Sequence, residues 1–147
     1  MTVRLVDTNI LVRLAEPSEP EHPVCKQAVR RLEDAGETLC LCAQAAIEFW
    51  SVATRPKDVR GLGFSPSKAE MALCEAEASL VWLPEPADIA ARWRALVNRH
   101  QVRGRQVHDT RLVAFMEAHG LTHILTLNTT DFARYTHIAV LHPADVK

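Results

Sequence analysis

Four acidic residues scattered along the chain, Asp7, Glu48, Asp109 and Asp131, have settings suited to carboxylate chemistry. Asp7 closes the short run Val3-Arg4-Leu5-Val6, and apolar residues then resume at helical spacing. In a parallel α/β sheet, ligands bind outside the carboxyl ends of the strands. An acid one residue past a first strand is therefore aimed at the site by topology. Asp109 opens a helix after a basic loop, and Asp131 lies in the polar loop after His123-Ile124-Leu125-Thr126-Leu127. Glu48 stands among Ile47, Phe49, Trp50 and Val52. A carboxylate buried there is costly without a cationic or metal partner.

Brought together at one sheet edge, these acids would repel and raise one another's pKa. A divalent cation relieves that repulsion, and carboxylate oxygens completed by water suit Mg²⁺ or Mn²⁺. No cysteine or histidine set stands at zinc spacing. Carboxylate-held metal ions activate water and steady the leaving oxygen in phosphodiester hydrolysis. The chemistry implied is metal-assisted cleavage of a nucleic-acid backbone. Thr8, Asn9 and Asn128 are placed to hydrogen-bond Asp7 or a bound phosphate. Each acid alone also admits a structural role: Asp7 as a cap, Asp109 as a partner of the helix dipole, Asp131 as the cap of a turn at Phe132. The inference rests on the set. A phosphatase with Asp7 as nucleophile fits poorly, because the position two residues on, where such enzymes carry a second Asp, is Asn9.

The elements that must position these residues alternate between strand and helix. Helices are expected over 9–15, 23–35, 43–54, 66–79, 87–100 and 107–120, and strands over 3–6, 38–42, 80–83, 123–127 and 138–141. Pro17 and Pro20 break the first helix, Gly36 and Gly120 stop two others, and Ser65-Pro66 caps and opens another. Residues 55–64 read as a loop with the length of a functional excursion. The pattern favours an α/β layer fold with a mostly parallel sheet. Arg92, Arg94, Arg99, Arg103 and Arg105, with His100, form either a solvated face or a phosphate-contacting rim. His100 and His108 have no partner at metal spacing and are expected in surface or supporting roles.

The bulk properties set the frame. A chain of 147 residues suggests one domain spanning 1–147, with 48% hydrophobic and 24% charged residues as in an ordinary globular protein. No apolar run reaches membrane-spanning length, and the start has no signal-peptide pattern, which leaves the cytoplasm as the default. A net charge of −1 neither favours nor excludes a polyanionic partner. Cys25, Cys40, Cys42 and Cys74 are expected to be buried, reduced and structural.

The motifs resemble those of the PIN-domain nucleases, and particularly the VapC-type toxins of bacterial toxin–antitoxin pairs. The matching pieces are Val6-Asp7-Thr8-Asn9-Ile10-Leu11, Ala46-Ile47-Glu48-Phe49-Trp50, Val107-His108-Asp109-Thr110-Arg111-Leu112-Val113-Ala114 and Leu125-Thr126-Leu127-Asn128-Thr129-Thr130-Asp131-Phe132. The closing Ile138-Ala139-Val140-Leu141-His142-Pro143 is similar too. The resemblance implies a PIN-like three-layer sandwich with about five mostly parallel strands, and a Mg²⁺- or Mn²⁺-dependent endoribonuclease. Asp7, Glu48 and Asp109 match the family's acidic triad, and Asp131 its more variable fourth acid. Asn128 stands where many relatives carry an acid, so the fourth role falls to Asp131 or is shared. Thr110 replaces the usual small residue. Arg105, Thr8, Asn9 and Asn128 are the expected RNA contacts. The resemblance further implies a homodimer and a small antitoxin whose tail enters the active-site groove. Residues 55–64 and the helices 9–15 and 65–79 are its expected contacts. A catalytically silent PIN-like module that binds RNA or protein is the alternative. It would gain if one of the triad acids were missing, and none is.

Overall fold

The computed structural model describes all 147 residues. Five strands, β1 (Val3–Val6), β2 (Thr38–Leu41), β3 (Val81–Trp82), β4 (His123–Leu125) and β5 (Ala139–Leu141), form one sheet in the order β3-β2-β1-β4-β5. Every neighbouring pair is parallel. Six helices flank it: α1 (Thr8–Ala15), α2 (His22–Asp34), α3 (Ala43–Thr54), α4 (Pro66–Glu77), α5 (Ile89–Arg99) and α6 (Gln106–Ala118). Helices α1–α4 pack among themselves, and α5 packs on α6. Right-handed crossovers account for the two groups, since the chain moves outward from β1 to β3 and then crosses back to β4. The strand order reverses between β1 and β4, which makes their carboxyl ends the ligand-binding crevice of this topology.

Burial explains why β1 is central. Successive residues point to opposite faces, and Leu5 and Val6 are both fully buried, as parallel strands covered on two sides require. Arg4 is also buried, and its guanidinium holds Glu37 at 2.9 and 3.3 Å. Helix α6 buries Leu112, Val113, Ala114, Phe115 and Met116 in succession, so its middle runs inside the molecule rather than along it.

Several expected boundaries shift for local reasons. The second strand ends at Leu41 because Cys42 caps α3, its Sγ accepting from the Ala45 N–H at 3.4 Å. The fourth strand ends at Leu125, not 127, because the Leu127 N–H donates to the Asn9 side chain at 3.0 Å instead of to a ladder partner. Residues 55–64 are less of an excursion than expected. Lys57–Val59 form a 3-10 turn, and Leu62 and Phe64 are buried in the core, their N–H groups donating back to Val52 and Ala53 of α3. Helix α4 is not an apolar helix: only Ala69 is fully buried and Met71 is 65% exposed. Of the cysteines, Cys25, Cys40 and Cys42 are buried, but Cys74 is exposed on α4, contrary to expectation. No helix is long and apolar enough to cross a membrane.

The turn after α3 depends on Gly61, where a Cβ would collide with the Arg55 carbonyl. Gly61→Ala is expected to cost about 1–3 kcal/mol through overpacking, measured as a lower urea midpoint at unchanged slope.

Candidate active site

The site begins at the seam between β1 and β4. The Asp7 N–H donates to the Leu125 carbonyl at 3.0 Å, which sets the two strand ends side by side. Asp7 caps α1, its Oδ1 accepting from the Thr8 N–H at 2.7 Å. Its Oδ2 accepts from the Thr126 hydroxyl at 2.8 Å and the Asn9 amide at 3.3 Å. Thr126, fully buried, also accepts from Asn9 Nδ2 at 3.1 Å and from the Asn128 N–H at 3.0 Å. Asp7 thus caps α1 with the same carboxylate that makes it a candidate site residue.

Glu48 is brought in by α3. It is half-buried rather than enclosed, because the helix turns Phe49 into the core and leaves Ile47 68% exposed. Nor does it have the cationic partner its apolar neighbours suggested. Its Oε2 accepts from the Thr8 hydroxyl at 2.8 Å and its Oε1 from Gln44 Nε2 at 3.0 Å. Asp109 lies in the first turn of α6, and Asp131 in the 3-10 turn Thr129–Phe132. That turn is held against α6 by Tyr135, whose buried hydroxyl lies 2.6 Å from Thr110 Oγ1. Glu48, Asp109 and Asp131 line one open cleft of about 710 Å³ with Thr8, Ser51, Val52, Arg55, Arg105, Gln106, His108 and Asn128. Asp7 is not among the lining residues: it is buried nearby, near enough for its charge and those of Glu48, Asp109 and Asp131 to act on one another.

The electrostatics follow from this assembly. Burial raises the carboxyl pKa of Asp7, against the pull of its hydrogen bonds from Thr126 and Thr8, and the charges of Glu48 and Asp131 push it the same way as burial. Asp109 is raised to about 7 by burial and by the negative charges of Asp131, Asp7 and Glu48, with Arg105 opposing. None of the four acids takes part in an ion pair. The donors that hold Asp7 and Glu48 are neutral amides and hydroxyls, so no hydrogen-bond partner cancels their charge. An all-oxygen donor set with uncompensated charge fits Mg²⁺ or Mn²⁺. No group of three or more His, Cys, Asp or Glu side chains stands close enough to hold one ion as the side chains are placed, so a bound ion would have to draw the carboxylates together.

The remaining expectations divide. Thr8, Asn128 and Arg105 line the cleft, but Asn9 turns its amide inward to Asp7, Thr126 and Leu127. Of the basic stretch, only Arg105 reaches the cleft; Arg92 is paired with Asp88. His108 borders the cleft, and His100 stacks edge-on against Tyr135 at 4.9 Å. Sequence reasoning missed Gln44, Thr126 and Arg55. Gln44 carries a signal, since residues four apart share a helix face and it precedes Glu48 by four. Thr126 shows as the one polar residue inside an apolar run.

Comparison with known proteins identifies the family and the fold. Residues 4–138 match the PIN domain family. Nothing among curated protein sequences matches. Among solved structures, the chain is similar to a VapBC2 complex from Rickettsia felis, with TM-score 0.71 and 13% identity over 96% of this chain and 98% of that one. It is similar to a toxin–antitoxin complex from Klebsiella pneumoniae, with TM-score 0.62 and 26% identity over 95% and 97%. It is also similar to the VapC20 sarcin–ricin loop cleaving toxin of Mycobacterium tuberculosis, with TM-score 0.61 and 17% identity over 84% and 87%. The likeness to the Rickettsia and Mycobacterium proteins is one of fold.

The charge cluster makes metal-free stability depend on pH. A carboxyl that titrates near 7 when folded, against its ordinary value of 3.8, binds a proton in the folded chain that the unfolded chain releases. Its stabilising contribution is complete below about pH 4 and is lost as pH rises through 7; the raised Asp7 acts in the same direction. In EDTA, the Tm is expected to fall between pH 5 and 8. Asp109→Asn is expected to flatten that profile and melt a few degrees above the parent at pH 8. A parent Tm that rises over this range would contradict the assignment.

Proposed function

This chain belongs to the PIN domain family, and from that premise we propose that it is a Mg²⁺- or Mn²⁺-dependent endoribonuclease, the toxic component of a toxin–antitoxin pair. The observation that carries the reading is the set Glu48, Asp109 and Asp131 lining one cleft with buried Asp7 close enough for its charge to act on Asp109, none of the four in an ion pair. Such a set is self-repelling and is relieved by a bound cation.

Asp7, Glu48 and Asp109 would hold the metal, with Asp131 as the fourth ligand and Asn128 beside it as a neutral donor. When bound, a divalent ion activates water for attack on phosphorus and steadies the leaving oxygen. The protein supplies the rest. Arg55 and Arg105, both lining the cleft, are placed to meet RNA phosphates. The Thr8 hydroxyl is spent on Glu48 and keeps that carboxylate turned inward. Asn9 and Thr126 fix the direction of Asp7 and so act on substrate through it.

A partner is proposed at a second place. Leu11, Leu14, Val29, Phe49, Leu73 and Leu80 contribute to an apolar groove of about 360 Å³ between α1, α2 and α4. Lys26, Arg30, Glu33 and Glu75 give it a charged rim. It is the proposed seat of an apolar segment of the antitoxin, a partner supported by the Klebsiella toxin–antitoxin complex to which the chain is similar. The 55–64 segment has less to offer such a partner, because Leu62 and Phe64 are committed to the core. The protein is proposed to act in the cytoplasm, as a homodimer of single-domain chains.

Asp7→Asn is expected to abolish Mn²⁺-dependent cleavage of RNA and relieve growth arrest while the fold survives. Undiminished cleavage by the folded variant would sink the reading. Leu73→Glu is expected to leave cleavage intact and lower affinity for the adjacently encoded antitoxin at least tenfold, read by calorimetry.

A further inference from the structure

Four side chains link the candidate site to the opposite side of α6. Gln44, buried in the first turn of α3, donates from Nε2 to Glu48 Oε1 at 3.0 Å and to the His108 carbonyl at 2.8 Å. Its Oε1 accepts from Arg111 Nη1 at 2.9 Å. Arg111 pairs through Nη2 with Glu85, in the segment after β3. We propose that Gln44 is the positioning residue of Glu48, and that Arg111, anchored by Glu85, fixes which end of the Gln44 amide faces the carboxylate. The proposal rests on the nuclease reading above and extends it to residues outside the acidic set.

The donor–acceptor logic is closed. A guanidinium only donates and a carbonyl only accepts. Arg111 therefore demands the amide oxygen of Gln44, and the His108 carbonyl demands its nitrogen. The second N–H of that nitrogen is left for Glu48. No flipped amide satisfies all three neighbours, so the assignment does not depend on telling oxygen from nitrogen. The same side chain spans the two helices that carry Glu48 and Asp109, because His108 is Asp109's chain neighbour.

The choice of a neutral amide also has a reason. An arginine in direct contact with Glu48 would hold it equally well and would cancel the charge a metal needs. Here the cation is set one amide further back, where Glu85 compensates it. Arg111 thus orients the site without neutralising it. Supporting partners of metal ligands typically contribute 10–100-fold to metal affinity or activity.

The test compares Gln44→Ala, Gln44→Glu, Arg111→Ala and Arg111→Lys with the parent. Three quantities are read: Mn²⁺ affinity by calorimetry, RNA cleavage split into kcat and KM, and Tm in EDTA. Gln44→Ala and Arg111→Ala are expected to weaken Mn²⁺ about 10–100-fold and lower kcat by a similar factor, with KM for RNA little changed. Gln44→Glu keeps the acceptor for Arg111 but sets a carboxylate against Glu48, and is expected to lose kcat as severely. Arg111→Lys keeps a cationic donor and is expected to recover most of the loss. Should Gln44→Ala fail to fold, the pair at Arg111, a side chain one-third exposed, carries the test alone. A lower Tm with Mn²⁺ affinity and kcat unchanged would overturn the proposal and leave the nuclease reading standing. A parent that binds Mn²⁺ with the expected dependence on Gln44 but cleaves no RNA would overturn the nuclease reading and leave the positioning role in place.

Discussion

Holding carboxylates together without neutralising them is the constraint on which the rest of this structure depends. Like charges a few ångströms apart repel, and a salt bridge is the simplest relief. The protein does not use it. Asp7 is held by a backbone N–H, a threonine hydroxyl and an asparagine amide, and Glu48 by a threonine hydroxyl and a glutamine amide. These neutral donors fix direction while leaving the charge uncancelled, and burial together with the neighbouring negative charges raises Asp109 to about 7. Of the arginines near the site, Arg55 and Arg105 line the cleft without an ion pair to any acid, and Arg111 stands behind an amide.

The sheet order is what makes so many neutral donors available. Asp7 and Thr126 meet because β1 and β4 are neighbours at the reversal of strand order, although they lie at opposite ends of the sequence. Asn9 then stitches α1 to the segment after β4 on both faces of its amide. On the other side, Gln44 bridges α3 to α6, and Tyr135 holds the Asp131 turn against the same helix through Thr110. Side-chain bonds replace ladder bonds where the strands stop. This is why β4 is short and why its continuation can bend into the cleft.

Much of this was legible beforehand, and the pattern of success follows the physics. All five strands read as short apolar runs, with most ends misplaced by one or two residues; burial accounts for β1, β2 and β4, while the edge strands β3 and β5 bury no residue fully. The errors at Cys42 and Leu127 arose where a side chain supplies the bond that a ladder partner would otherwise supply. Asp7 was visible at a strand end, Asp109 at a helix start, Asp131 in the polar loop after a strand, and Glu48 by its apolar neighbours. Of the supporting donors, Thr8 and Asn9 were visible beside Asp7, whereas Gln44, Thr126 and Arg111 were passed over because most of their partners lie many residues away. Glu48 misled in a useful way. Its apolar neighbours implied burial and a charged partner, whereas the pitch of α3 leaves it half-open with neutral ones. The 55–64 segment misled by composition: its glycines and charges hid two core anchors, Leu62 and Phe64.

The bond from Thr126 to Asp7 joins residues separated by 119 positions. Contacts of such long range demand loop closure before they return any stabilisation, and they are intrinsically slow to form. No local segment, and no subset of early helices, can reproduce the geometry around Asp7, because half of it arrives with β4. The acidic site is therefore an all-or-none property of the completed fold. A chain still being synthesised, or one trapped short of docking β4, has no assembled centre.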